Sequence, residues 1–308
     1  MDFLIVAVSL AILLVAGDML VKGAVNLSLR LGVPALIVSL TIVAFGTSAP
    51  ELLISVQAVM AGVPGIALGN VVGSNVANVL LVLGIPAIIA GIATSRCEVG
   101  PSFRQMLAAT VLFIALCFLG PLTWWHGLVL LAGLALMLGL ALRDARASNG
   151  EEPPEGADPD MRGWRIAAFL LIGLIGLPLG ADLLVDSSSR IARAWGMSDA
   201  VIGLTLVAVG TSLPELATTV MAAFRRQAEV ALGNVIGSNM FNLLAIMGIA
   251  VLVGPVPVGA EFLTFDLWVM LGASLLLIPF VSMGWDLTKR WGVMLVALYA
   301  AFVWIVVA

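Results

Sequence analysis

Gly46-Thr47-Ser48-Ala49-Pro50-Glu51-Leu52 returns in the second half of the chain as Gly210-Thr211-Ser212-Leu213-Pro214-Glu215-Leu216. Farther along, Ala67-Leu68-Gly69-Asn70-Val71-Val72-Gly73-Ser74-Asn75 returns as Ala231-Leu232-Gly233-Asn234-Val235-Ile236-Gly237-Ser238-Asn239, followed by Asn78 against Asn242 and Gly84 against Gly248. The offset, 215 − 51 = 164, holds throughout without a gap, and about half of positions 46–84 are identical to their partners. Asp18 with Asp182 and Gly32 with Gly196 carry the match upstream. A fixed period of this kind marks a duplicated structural unit.

What the unit is built for follows from composition. The chain has 308 residues, is 62% hydrophobic and 10% charged, and has a mean hydropathy of +1.17, which places it in a lipid bilayer. Apolar segments lie near 3–28, 33–61, 66–92, 104–119, 124–142, 164–190, 198–224, 230–253, 265–283 and 290–307. Each is close to the roughly 20 residues that a spanning helix needs. The expected architecture is all-α, with ten transmembrane helices: a first five-helix repeat over 1–142, an acidic cytoplasmic linker over 143–163 and a second repeat over 164–308. The linker holds Glu151, Glu152, Glu155, Asp158 and Asp160 among prolines and has no calcium-loop spacing. Met1-Asp2 precedes the first apolar run without a basic region, so that run is expected to be a retained helix.

Five spans per half is an odd number, so the second half must enter the membrane from the opposite side and the repeats are inverted. The basic residues test this. Ten spans put Lys22, Arg30, Arg96, Arg104, Arg143, Arg146, Arg162, Arg165, Arg225, Arg226, Lys289 and Arg290 on one side and only Arg190 and Arg193 on the other. Because Lys and Arg collect on the cytoplasmic face, both termini are expected outside the cytoplasm, in the cell membrane. Nothing points to nucleic acid. Cys97 and Cys117 read as structural, and His126, beside Trp124 and Trp125, as an interfacial residue.

Glu51 and Glu215 fall inside the second helix of each half. An ionisable group near mid-membrane costs on the order of 2.5–3.5 kcal/mol even on insertion scales, so its default reading is functional. Pro50 and Pro214 remove a backbone donor just before these glutamates, and carbonyls near Ala44, Phe45 and Thr47, and near Ala208, Val209 and Thr211, are expected to lose partners. The third helix of each half adds Ser74, Asn75 and Asn78, or Ser238, Asn239 and Asn242. Oxygen ligands with two carboxylates suit a hard cation, Ca2+ or Na+; no Cys or His lies in either motif to favour a soft metal.

These paired GTSxPE and GNxxGSNxxN segments, 46–84 and 210–248, closely resemble the alpha-repeats of the sodium/calcium exchanger family within the cation/calcium antiporter superfamily. The resemblance implies that the second, third, seventh and eighth helices surround a group of cation sites. It implies Ca2+ ligands in Glu51, Glu215 and the carbonyls of Thr47 and Thr211. Na+ sites would also recruit Ala44, Ser48, Ser74, Ala208, Ser212 and Ser238, with Asn78 and Asn242 completing the centre. By the same resemblance the first and sixth helices slide across this core. Some family members carry an acidic residue where this chain has Asn242, so the inherited three-for-one ratio is not carried over with the motif.

The expected activity is secondary antiport, Na+ entry driving Ca2+ out, with no cofactor, no enzymatic role, and the bilayer and the two ions as partners. A single chain is expected to suffice. H+/Ca2+ exchange through the same glutamates is the alternative, and a channel would lack saturable counterflow. An intramembrane hydrolase using Ser48 or Ser212 would need a His or Lys partner that the motifs do not supply.

Overall fold

In the computed structural model, which describes residues 2–147, 157–196 and 210–307, the chain is helical almost throughout. The helices are α1 (Asp2–Leu31), α2 (Ala35–Thr47), α3 (Ala49–Met60), α4 (Pro64–Ile89), α5 (Gly100–Cys117), α6 (Trp124–Ala147), α7 (Gly163–Ala194), α8 (Leu213–Phe224), α9 (Ala228–Val253), α10 (Phe262–Ser282) and α11 (Lys289–Val307). Eight of the described helices are long and apolar enough to cross a membrane, and α2 with α3 makes a ninth span bent by 43°. The 12-residue α8 is the helix described in the segment read as the seventh span; the upstream residues 197–209 lie outside the described residues, as do residues 148–156 of the acidic linker.

Strands are absent among the described residues, but two isolated β-bridges bear on the topology: Ile92 pairs with Leu287, and Leu122 with Val256. Ile92 and Leu287 lie in the α4–α5 and α10–α11 connections, which a ten-span chain puts on one side. Leu122 and Val256 lie in the α5–α6 and α9–α10 connections, which it puts on the other. A miscounted span would have separated the partners of each bridge. The bridges are also related by the repeat, since 92 + 164 = 256 and Leu122 lies one position from the partner of Leu287. Exposed Trp124, Trp125, Trp195, Trp268 and Trp304 fall at one expected interface and Trp164 and Trp285 at the other, as amphipathic rings do.

The two halves interlock. A Cβ on Gly127 would stand 2.7 Å from the Gly248 carbonyl oxygen, and one on Gly292 would stand 2.7 Å from that of Gly84. Glycine therefore lets α6 cross α9, and α11 cross α4, at backbone distance. The buried apolar side chains form two clusters. The larger joins α4, α5, α9 and α10; the smaller joins Leu13, Ala16, Leu20 and Ala24 of α1 to Leu177 and Ala181 of α7, with Val38, Val43 and Ala217. α1 and α7 run antiparallel, with Arg190 Nε 2.8 Å from Asp2 Oδ1 at one end. At the other, the Asp158 backbone N–H donates to Asn26 Oδ1 at 2.8 Å.

His126 lies in the first turn of α6 beside the exposed Trp124 and Trp125, with its own ring buried. Its Nδ1 accepts the Thr123 backbone N–H at 3.0 Å, and its ring stacks on Trp125, whose own ring carries the exposed surface. Both cysteines are free. Burial, helped by the charges of Glu229 and Asp286, pushes the loop thiol of Cys97 up to about 12.

Candidate cation site

Each glutamate sits in the first turn of a helix that begins at a break. Between α2 and α3, Ser48 has φ −85° and ψ 8°; before α8, Ser212 has φ −87° and ψ 5°. The same sequence has made the same joint twice. Pro50 and Pro214 occupy the first turn of the new helix, where a missing N–H costs nothing within that helix, but they return no donor to the preceding segment. The break falls in the stretch that the sequence marks, but the Ala44 carbonyl is not among those that lose a partner. The Ala44 carbonyl is bonded by Ser48 N at 3.1 Å and approached by Thr47 Oγ1 at 3.3 Å, so it retains its partner; the carbonyl deprived by Pro50 is that of Gly46, four residues earlier.

Placing Glu51 and Glu215 at helix N-termini sets each carboxylate near the positive end of a helix dipole, which stabilises negative charge. Both are almost fully buried, at 1% and 0% exposure, and the two carboxylates are near enough to repel one another. Glu215 Oε1 accepts hydrogen bonds from Ser48 of the first repeat at 3.0 Å and Ser238 of the second at 3.4 Å. Thr47 Oγ1 lies 3.3 Å from Asn234 Oδ1, again across the repeats.

Behind the carboxylates the two halves repeat each other atom for atom. Asn70 Nδ2 donates to the Glu51 carbonyl at 3.1 Å and Ser55 Oγ at 3.0 Å; Asn234 Nδ2 donates to the Glu215 carbonyl at 3.3 Å and Thr219 Oγ1 at 3.1 Å. On the far side of the centre, Asn78 Nδ2 donates to Asn239 Oδ1 at 3.1 Å and Asn242 Nδ2 to Asn75 Oδ1 at 3.3 Å. Just there α4 and α9 widen into π-helical turns, Asn78–Val82 and Phe241–Ile246, a distortion frequent at functional sites.

The arrangement leaves particular atoms without partners. Among the described residues, buried side-chain oxygens lacking any hydrogen bond include Glu51 Oε2, Glu215 Oε2, Asn78 Oδ1, Asn242 Oδ1 and Ser212 Oγ. Buried polar groups are normally satisfied, and orphaning one costs about 1–3 kcal/mol. These five oxygens, supplied by two matched motifs, are of the hard type that a Ca2+ or Na+ ion takes as ligands. Of the other expected ligands, Ser48, Ser74, Ser238, Thr47 and Ala44 are buried with them, and Thr211 is half-buried beside Ser212; Ala208 lies outside the described residues.

Comparison with known proteins gives the family and the fold. The family model described as sodium/calcium exchanger protein matches residues 1–143 and 165–308, both halves in full. The chain belongs to that family. It is 36% identical to the sodium/calcium exchanger MaX1 of Methanosarcina acetivorans over 98% of this chain and 97% of that one. It is 35% identical to the putative antiporter CaxA of Alkalimonas amylolytica over 89% and 87%. Its fold matches the sodium-calcium exchanger NCX_Mj, solved after soaking with Na+ and Sr2+, with a TM-score of 0.85 at 31% identity, covering 98% of this chain and 97% of that chain. The all-helical membrane fold of this family member therefore stands on its described spans and on a solved relative, and its two bridges accord with the ten-span reading of the sequence.

The sequence reading did not single out Asn70, Asn234, Met106 or Met270, and passed over what Asn75 and Asn239 do. The asparagines were visible as identities between the repeats. Met106 and Met270 obey the same offset, 270 − 106 = 164, but stand beyond the strong match at 46–84.

Proposed function

We propose that the chain is a secondary antiporter of the cell membrane that exchanges Na+ for Ca2+ at this centre, extruding Ca2+ as Na+ enters. The observation that carries the reading is the set of five unpartnered buried oxygens, two of them from carboxylates, supplied by both repeats. One Ca2+ or two Na+ neutralise the two carboxylates, so the ions compete for the same charges. An empty centre keeps two charges in a low-dielectric medium, which opposes return without cargo. That competition is what couples one flux to the other.

The two glutamate-bearing helices are covered unequally. Ala217 of α8 lies under α1, where a Cβ on Gly17 would stand 3.0 Å from the Ala217 carbonyl oxygen. Its repeat partner Leu53, on α3, is 59% exposed against 7% for Ala217. With both termini outside, α8 would lead from the centre to the cytoplasm and α3 to the exterior, and the unequal cover of the two helices supports a state with the cytoplasmic side the more closed. Exchange of the two environments would give the opposite state.

Ca2+ uptake into inside-out vesicles, driven by a Na+ gradient, tests the reading. Wild-type flux from Glu51→Gln or Glu215→Gln protein would remove these carboxylates from the site. Uptake that follows a pH gradient and ignores Na+ would instead establish proton coupling through the same two residues, both of which keep an oxygen free of any other hydrogen bond.

A further inference from the structure

We infer that Asn75 and Asn239 are positioning residues that fix which end of the neighbouring amides faces the cation, each acting across the repeat boundary. The inference rests on the proposed exchange site and adds to it the reason that two neutral amides can serve there. An asparagine amide is nearly symmetric in shape but not in charge: one end accepts, the other donates. An amide that turned its NH2 toward the cation would repel it.

In this chain the choice is made by hydrogen bonding. Asn242 commits its NH2 to Asn75 Oδ1 at 3.3 Å, and Asn78 commits its NH2 to Asn239 Oδ1 at 3.1 Å. Their own oxygens are thereby left over, and both are buried and unpartnered, like the free oxygens of Glu51 and Glu215. The orientation of Asn75 and Asn239 is fixed in turn. Asn75 Nδ2 points at Met270 Sδ, 3.6 Å away; Asn239 Nδ2 points at Met106 Sδ, 3.8 Å away, and at the Asn75 carbonyl at 3.5 Å. A thioether sulfur is only an acceptor, so it selects the NH2 end. The two methionines are at most 1% exposed and occupy matched positions of α5 and α10. The chain of choice runs from methionine to asparagine to asparagine to cation, once in each direction across the molecular pseudo-two-fold.

A carboxylate at 242 would need no such orientation, because both of its ends accept. That difference gives a test. In reconstituted protein, Asn75→Ala should raise the half-saturating Ca2+ concentration about tenfold, the usual scale for losing a group that orients a metal ligand. In an Asn242→Asp background the same change should add little, so that the double variant matches Asn242→Asp alone. Asn239→Ala against Asn78→Asp should behave the same way. Equal increments in both backgrounds, or no effect of Asn75→Ala in the native background, would overturn the inference, because a merely structural asparagine is indifferent to the chemistry at 242. Should Asn75→Ala fail to fold, Asn75→Ser, which keeps a small acceptor, is carried through the same cycle and must give a smaller shift that also vanishes with Asn242→Asp. Absence of Na+-driven Ca2+ flux in the wild-type protein would defeat the exchange reading itself, a result distinguishable from additivity in the cycle.

Discussion

The two repeats share their motif, their helix break and their asparagine ties, yet their glutamates are held differently. Glu215 receives two serine hydroxyls, one from each half, and lies in a helix sealed by α1. Both glutamates keep Oε2 free, but Ser212 beside the second break donates to nothing, and the face of α3 around Leu53 is exposed. The serines and glutamates concerned are identical in the two motifs, so those residues do not account for the difference. The difference lies in where α1 and α7 rest. Gly46 and Gly210 both face α7, at Leu174 and Val185, whereas strict symmetry would set Gly210 against Leu10 of α1, since 174 − 164 = 10. A duplicated unit thus adopts two conformations in one molecule, which is the condition for alternating access.

The comparison predicts, first, that the glutamates are equivalent in function despite their unequal surroundings. Glu51→Gln and Glu215→Gln should each reduce exchange by about 100-fold or more, since each removes one of two charges that a buried cation requires. A large inequality between the two, measured as Na+-dependent Ca2+ flux, would break the equivalence.

The next effect is one of access. In a Cys117→Ser background, a cysteine at Leu53 should react with a membrane-impermeant thiol reagent from outside, and one at Ala217 should be protected from the cytoplasmic side. The order should reverse when the opposite state is populated. Cys97 adds little background, because a thiol with a pKa of about 12 carries almost no thiolate at neutral pH. The thiolate fraction, and with it the background, should rise only as pH approaches that value.

A smaller difference is expected from the serines. Ser48→Ala deletes a donor to Glu215 and should lower thermal stability of the ion-free protein by about 1 kcal/mol, whereas Ser212→Ala, which deletes no hydrogen bond, should cost less. Both should weaken cation binding, because the two hydroxyls trade roles during the cycle. The smallest effect is where the second half of α1 meets the C-terminal end of α8. There Asp18 binds Lys22 Nζ at 2.9 Å and Arg225 Nε at 2.5 Å in partly exposed surroundings. Asp18→Asn should shift the state balance by no more than about 1 kcal/mol, read as modestly faster labelling at position 217.

How far the sequence could be read follows from the same asymmetry. The span count, the inversion and the buried carboxylates were legible because each leaves a local mark: apolar length, an odd number of helices per repeat, basic residues on one side. The shape of the break was half legible. Pro50 announced an interruption, but which carbonyl it orphans depends on Ser48 closing the ladder to Ala44, a torsional detail that composition does not carry. The crossed asparagines were not legible as a pair, since Asn75 meets Asn242 only once the halves are intertwined. Met106 and Met270 were hidden for another reason. Their segments match too weakly around them for the shared offset to stand out, although the contact they make is the same in both halves. Nor could sequence identity reveal that two identical motifs would differ in conformation.

The central claim is that both ions use one pair of carboxylates. Purified protein in liposomes, with Na+, K+ and H+ gradients imposed separately, tests it most directly. The account predicts saturable Ca2+ flux driven by the Na+ gradient alone, inhibited competitively by Na+ on the Ca2+ side and lost in Glu51→Gln and Glu215→Gln alike. Ca2+ flux that is indifferent to Na+, or that survives either substitution at the wild-type rate, would contradict it.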